Sequence, residues 1–313
     1  MQYLKPNKAW RNGATECCTK GSFVYLSLAR QTAKVNLRFN VRWSVPTKGR
    51  RLYMVPCAPS TAMDGPLAYI GGKNRLAKRI VAMFPPHTAY CEVFLGGGQV
   101  LFRKEPSKVE IVNDLDGEVV NFFRCAQQHH EELCRCLKFV LVGRQWFDAF
   151  NNQNPASLTD IQRAARFFYL QKNCYAGLVH GRHYAAKVVS KPGFNPSRLP
   201  EILENVHKRL ARIQIESLPF QEFIPRFDRP ETLFFCDPPY WRRKLYNFNF
   251  ADEDYTTLAN LLQPIKGKFV LTIDDVPQIR EIFKASKITE VQIPYTAQQE
   301  AGRRFKELII TNF

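Results

Sequence analysis

The sequence predicts an α/β fold, a mostly parallel sheet interrupted by a long helical insertion. Three observations lead there. Tyr90-Cys91-Glu92-Val93-Phe94 reads as a strand, runs into the glycine turn Leu95-Gly96-Gly97-Gly98 and leads to an apolar helix start at Val100-Leu101-Phe102. A second strand, Val109 to Asn113, ends on the acid Asp114. Far downstream, the apolar run Glu231–Cys236 stops abruptly at Asp237-Pro238-Pro239-Tyr240. Neither proline can donate to a sheet ladder, so the strand must end in a rigid corner. The interval between Gly98 and Asp237 exceeds two or three strand–helix units, so it holds extra material.

The chain has 313 residues and is 45% hydrophobic, enough for one large domain with an insertion or for two domains. No run of about 18 apolar residues occurs, which argues against a membrane span. The net charge of +17 points to a polyanion, most simply nucleic acid. Nine scattered cysteines fit reduced thiols. Neither Cys17-Cys18 nor Cys134-Arg135-Cys136 has zinc-ribbon spacing, and no His pair completes a site.

Residues 1–62 carry 11 Lys/Arg against the single acid Glu16. They show some alternation but no sustained helical pattern, and read as a basic N-terminal extension. Either it touches phosphates, or it is an appendage upstream of Met63. Next, Tyr69-Ile70-Gly71-Gly72-Lys73 precedes a helical pattern through Leu76, Ile80 and Met83, ended by Pro85-Pro86. Paired glycines allow backbone to approach a ligand, and Lys73 can reach a carboxylate. Asp114 follows the glycine turn at about the distance of a ribose-binding acid, with Asp116 competing for that role or capping the next helix.

Residues 128–212 read as mainly helical, at Leu137–Val142, Trp146–Phe150, Ile161–Tyr169 and Ile202–Leu210. Inside lies a loop from Lys172 through Tyr184 to Lys187 and Lys191, rich in bases, His and aromatics, which suits DNA contact. Beyond it, strands are expected at Ile213–Leu218, Lys268–Ile273, Val291 and Leu308–Thr311, with helices from Asp252 and at Ile279–Phe283. Trp241–Phe248 is basic and aromatic, suited to a nucleotide and its phosphates. The loop Tyr295–Arg304 either closes over the site or is an ordinary surface loop.

Taken in order, Tyr69-Ile-Gly-Gly-Lys73, Glu92-x-Phe94-x-Gly96-Gly97-Gly98, Asn113-Asp114 and Asp237-Pro-Pro-Tyr240 resemble the Dam-type (D12 class) DNA adenine-N6 methyltransferases. The resemblance covers residues 67–313. It implies a Rossmann-like, mostly parallel, seven-stranded sheet that uses S-adenosylmethionine, formed by residues 63–127 and 213–313. Residues 128–212 become a helical target-recognition insertion. Cofactor contacts are implied for Tyr69, Gly72, Lys73, Glu92, Phe94, Gly96, Gly97, Asp114, Phe220 and Asp237. Catalytic or base-holding roles are implied for Asp237, Pro238, Pro239 and Tyr240. Lys172, Asn173, Arg182, Lys187, Arg242 and Arg243 are expected to face double-stranded DNA. The resemblance also implies a monomer without metal, in the cytoplasm of a bacterium or phage-infected cell.

Two departures stand out. Ala185-Ala186 occupies the place of the family's usual Phe-Asn, and Pro219-Phe220 replaces the Asp-Phe of many relatives. The first bears on target sequence; the second removes an acid contact to the cofactor adenine. The chemistry expected is methylation of an exocyclic amino group. The N6 lone pair of adenine is delocalised, and hydrogen bonds to Asp237 and the Pro238 carbonyl favour a more tetrahedral nitrogen. Tyr240 stacks on the flipped base. Cytosine N4 or an RNA base is the neighbouring alternative, and a catalytically silent DNA-binding relative is the other.

Overall fold

The structure, a computed structural model, describes residues 63–186, 190–294 and 304–313. The basic extension, Lys187 and most of the loop Tyr295–Arg304 lie outside the described residues. Every described residue belongs to one compact unit, Ala58–Phe313.

Helix α1 (Ala77–Ala82) precedes β1 (Ala89–Glu92), β2 (Val109–Asn113) and α2 (Gly117–Gln128). Four helices follow: α3 (His130–Leu137), α4 (Arg144–Asn152), α5 (Asp160–Asn173) and α6 (Leu199–Leu210). Then come β3 (Gln214–Glu216), α7 (Phe220–Phe227), β4 (Thr232–Cys236), α8 (Asp252–Leu262), β5 (Lys268–Asp274), α9 (Pro277–Ile282), β6 (Lys287–Pro294) and β7 (Arg304–Thr311). Helix starts are chemically marked. Asp116 accepts from the Glu118 amide ahead of α2, and Thr159 and Gln162 form a reciprocal capping box for α5.

The sheet order is β3-β2-β1-β4-β5-β7-β6. All pairs are parallel except those of β7, which runs against both neighbours. Alternation divides the core between two faces. Tyr90, Val112, Phe235 and Val270 share one face with α2, α5 and α6, including Phe122, Phe167 and Leu203. Cys91, Phe234 and Leu271 share the other with α7 and α8, including Phe223 and Leu258. The helices between residues 130 and 210 are therefore packed into the same core as α2. Strand order reverses between β1 and β4, so their carboxyl ends stand side by side, where open α/β sheets place ligands.

Two sequence expectations are corrected. The helix expected at Val100 is only a set of turns, with Phe102 N–H bonding Gly98 O and Lys104 N–H bonding Val100 O. Pro106 follows too soon for a longer helix, because the residue before a proline is pushed out of the helical region. The helical reading of Leu137–Val142 also fails: α3 stops at Leu137, and Gly143 is fully extended, at φ −178° and ψ 160°.

A strained backbone sits just past α5. Ala176 has φ 52° and ψ 14°, a conformation that costs a residue with a Cβ about 1–2 kcal/mol. Ala176 is exposed, so nothing packs against a replacement. Ala176→Gly is expected to raise stability by about 1 kcal/mol after the entropic cost of glycine, read as the unfolding midpoint. An unchanged or lower midpoint would mean that this junction relaxes without strain.

Candidate active site

The turn after β1, the end of β2, the start of α7 and the end of β4 surround a cavity of about 480 Å³. That volume suits a small-molecule cofactor. The residues expected at the cofactor all line it: Tyr69, Gly72 and Lys73 on one side, Glu92, Phe94, Gly96 and Gly97 beside β1, then Asp114, Phe220 and Asp237. Pro239 lines it too, whereas Pro238 is buried behind and Tyr240 stands beyond Lys73.

Lys73 and Asp237 form the centre. The Lys73 ammonium is 2.6 Å from one Asp237 oxygen and 2.7 Å from the other, and also donates to Gly71 O at 3.0 Å. The Lys73 side chain is 4% exposed, so this contact is screened little by water. Thr272, on the neighbouring β5, donates to Asp237 at 2.9 Å. Burial raises the Asp237 carboxyl above its usual range, while Lys73 and the Thr272 hydroxyl pull the other way. The Lys73 ammonium also lies 4.8 Å from the centre of the Tyr240 ring.

Asp114 organises the glycine turn. It accepts from the Gly96 amide at 2.7 Å and from the Asp116 amide at 2.9 Å. Gly96 has φ +49°, and a Cβ there would lie 3.1 Å from the Tyr69 ring, so only glycine fits easily. At the other end, Phe94, Phe220 and Phe250 make a three-ring wall with centroids 5.1–6.0 Å apart. Pro219 precedes α7 and lines the cavity, so no acid stands at that place.

Glu92 is fully enclosed and accepts from the Tyr90 hydroxyl at 2.7 Å. Burial raises its carboxyl to about 8, partly opposed by that hydrogen bond. A group that holds its proton more tightly when folded adds stability in full below its unfolded pKa, about 4.5, and loses it as pH rises through about 8. The thermal midpoint is therefore expected to fall between about pH 5 and about pH 8. Glu92→Gln, neutral throughout, should flatten this limb, leaving the part from the other carboxyls that burial raises, Asp114 (to about 6), Asp237, Asp274 and Glu307. Parallel profiles for parent and variant would mean that Glu92 ionises alike folded and unfolded.

Residues 69–297 match the model of the family described as D12 class N6 adenine-specific DNA methyltransferase. The chain belongs to this family. Its similarity to curated members is distant but long. The Type II methyltransferase M1.LlaDCHI of Lactococcus lactis subsp. cremoris is 24% identical, over 78% of this chain and 94% of that protein. Type II methyltransferase M.MjaIII of Methanocaldococcus jannaschii is 22% identical, over 79% and 98%. The DNA N-6-adenine-methyltransferase of Escherichia phage P1 is 23% identical over 70% of this chain, which spans 31% of that protein. The solved structure of SMU.776 complexed with SAH has a TM-score of 0.36 and 11% identity, covering 78% of this chain and 50% of that one. The strand order, not this likeness, establishes the fold of the methyltransferase.

The loop after Asp237-Pro238-Pro239-Tyr240 lies over the cavity of the methyltransferase. Tyr246 stacks on Tyr69, with centroids 6.0 Å apart, and donates to Ile70 O at 3.2 Å. Asn247 donates to Asp116 at 2.8 Å. Sequence reading placed this loop against a nucleotide and missed both contacts. The run Tyr246-Asn247-Phe248-Asn249-Phe250, alternating ring and amide, was the available signal.

Among the described residues, the expected DNA-facing side chains differ in exposure and in partners. Lys172 is half-buried near the Phe168 ring, and burial lowers its ammonium. Arg182 donates to Gln171 at 3.2 Å, again with its pKa lowered by burial. Arg242 is exposed but ion-paired with Asp252, and Arg243 lies 3.8 Å from Asp274. Asn173 is a correction: it is 3% exposed and donates to Tyr169 O one turn back in α5, a place that anchors the loop and does not face DNA.

Proposed function

We propose that Asp237, clamped by Lys73 and Thr272, is the acceptor that orients the adenine amino group for methylation, with the base turned out of duplex DNA. The observation that carries this is the Lys73–Asp237 pair at the carboxyl end of β4, inside the cavity. The residues fit the cofactor S-adenosylmethionine. Asp114 and the turn it holds would take the ribose, the three-ring wall the adenine, and Glu92 and Lys73 the polar end. When bound, that cofactor supplies a sulfonium methyl group to the nitrogen.

The chain does the rest by positioning and electrostatics. Lys73 opposes the pull of burial on the Asp237 carboxyl and fixes its two oxygens where the amino group would meet them. The Pro238 carbonyl, fixed by two prolines, would accept the second amino hydrogen. Tyr240, its ring beneath the Lys73 ammonium, would stack on the base. The loop through Tyr246 keeps water from the reacting atoms.

Residues 63–127 and 213–313 would then be the catalytic part, and 128–212 the part that chooses the target. The names of the type II relatives favour a place in a restriction–modification system; action as a monomer in the cytoplasm is part of the same proposal. Among the described residues, no group of three His, Cys, Asp or Glu is placed to hold a metal, and no helix is long and apolar enough to cross a membrane.

The deciding experiment is transfer of labelled methyl from S-adenosylmethionine to unmethylated duplex DNA, followed by nucleoside analysis. N6-methyladenine is the expected product. Label on cytosine would move the reaction to N4, and absence of label together with absence of cofactor binding would leave a silent relative.

A further inference from the structure

Among the described residues, the most exposed large apolar side chains are Phe139, at 79%, and Leu141, at 64%. They flank the buried Val140, so the turn after α3 points one side chain in and two out. Trp146, 41% exposed, follows at the start of α4. Exposed large apolar groups in a cluster call for an explanation where scattered ones do not.

This turn is not a loose one. The Tyr169 hydroxyl, on a side chain fully enclosed in the core, donates to Leu141 O at 2.9 Å and accepts from the Gly143 amide at 3.4 Å. Tyr169 lies one turn before the end of α5, the end that carries the loop 174–186. Two further contacts join the turn to that loop. Phe147 packs on Tyr184 at 5.7 Å, and the Arg144 guanidinium lies 5.4 Å from the same ring. The loop reaches the active site, since Ile70 N–H bonds Gly177 O at 3.0 Å. The apolar turn therefore stands at the active-site end of the helical insertion.

The charge pattern says what covers it. No acid occurs from Leu133 to Phe147, while Lys138 and Arg144, both exposed, bracket Phe139 and Leu141, and Trp146 follows two residues after Arg144. Cation, apolar side chains, cation is the complement of a minor groove, whose two phosphate rails enclose sugar and base edges. We propose that Phe139, Leu141 and Trp146, with Lys138 and Arg144, form a second contact with duplex DNA, in the minor groove beside the target. The bases hold the phosphate rails, and the apolar side chains enter between them. This rests on duplex DNA being the substrate.

Salt separates the two kinds of contact. Each phosphate neutralised contributes about 0.9 to the slope of log affinity against log salt, while an apolar contact contributes nothing to it. Fluorescence anisotropy would follow full-length protein on a labelled duplex that the parent methylates, at several salt concentrations. Phe139→Ser with Leu141→Ser is expected to weaken binding about tenfold with the slope unchanged. Lys138→Ala with Arg144→Ala is expected to lessen the slope by about 1.8. All these side chains are exposed, and matching unfolding midpoints would show that the variants fold. Unchanged affinity and slope in both variants, with the parent methylating DNA, would overturn this contact alone. So would sedimentation showing a parent dimer that the apolar variant splits while DNA affinity holds, since the face would then belong to a second copy. A parent that neither binds nor methylates DNA would overturn the proposed function, and this contact with it.

Discussion

Asp237→Ala is expected to lower methyl transfer by about 10³-fold, the usual effect of deleting one preorganised electrostatic contact to a reacting group. Two losses coincide. The adenine amino group would lose its acceptor, and the Lys73 ammonium, 4% exposed, would lose its counter-charge. Removing one partner of a buried pair typically costs about 3–5 kcal/mol, so stability should fall as well. Asp237→Asn separates the two effects, because it keeps the shape and an acceptor oxygen but not the charge. It should lie between parent and alanine variant in both rate and midpoint. Single-turnover methylation with saturating cofactor is the measurement. An alanine variant within about tenfold of the parent would remove Asp237 from the reaction.

Glu110→Ala should have the largest effect on stability without touching the cavity. Glu110 is 5% exposed and receives two cations. One is Lys104, from the turns after Gly98; the other is Arg209, from α6, whose second nitrogen is 2.9 Å away. Burial alone would raise the Glu110 carboxyl, but the hydrogen bonds from Arg209 and Lys104 outweigh it and hold the carboxyl below its usual range. A depressed acid gives stability above its unfolded pKa and loses it as pH falls through the folded one. The alanine variant should therefore lose about 3–5 kcal/mol near neutral pH, and the difference from the parent should shrink in acid. Denaturant unfolding at two pH values tests both statements. A loss below about 1 kcal/mol would mean that Lys104 and Arg209 find water once the acid is gone.

Much of the site was legible because its parts are local. Strands enclosed on both faces read as apolar runs, and prolines or glycines mark where they stop, as at Cys236-Asp237 and Glu92–Gly98. Contacts between distant segments were not legible. Nothing in the composition of Tyr69–Lys73 says that its lysine meets an acid 164 residues later, or that Tyr246 covers Tyr69. Periodicity misled where apolar spacing was accidental. Leu137, Val140 and Leu141 fit a helix, yet Gly143 and the Tyr169 hydroxyl set an extended turn instead. Asn173 misled because a polar residue at the edge of a basic loop resembles a contact until its burial is known.

The place of β4 in the sheet has a consequence for synthesis. β1 pairs with β4 as Ala89 with Thr232 through Glu92 with Phe235, so early and late parts of the chain share a ladder. Closing so long a loop is slow, and until it closes β1 presents an open hydrogen-bonding edge. A nascent or truncated chain ending before Thr232 already has Lys73, Asp114 and every helix up to α7, but neither Asp237 nor the strand that covers β1. Such a fragment is expected to aggregate or be degraded before it can occupy DNA. Quality control of the enzyme is thus built into its strand order, because the pairing that covers this edge of β1 is also the one that brings in the acid.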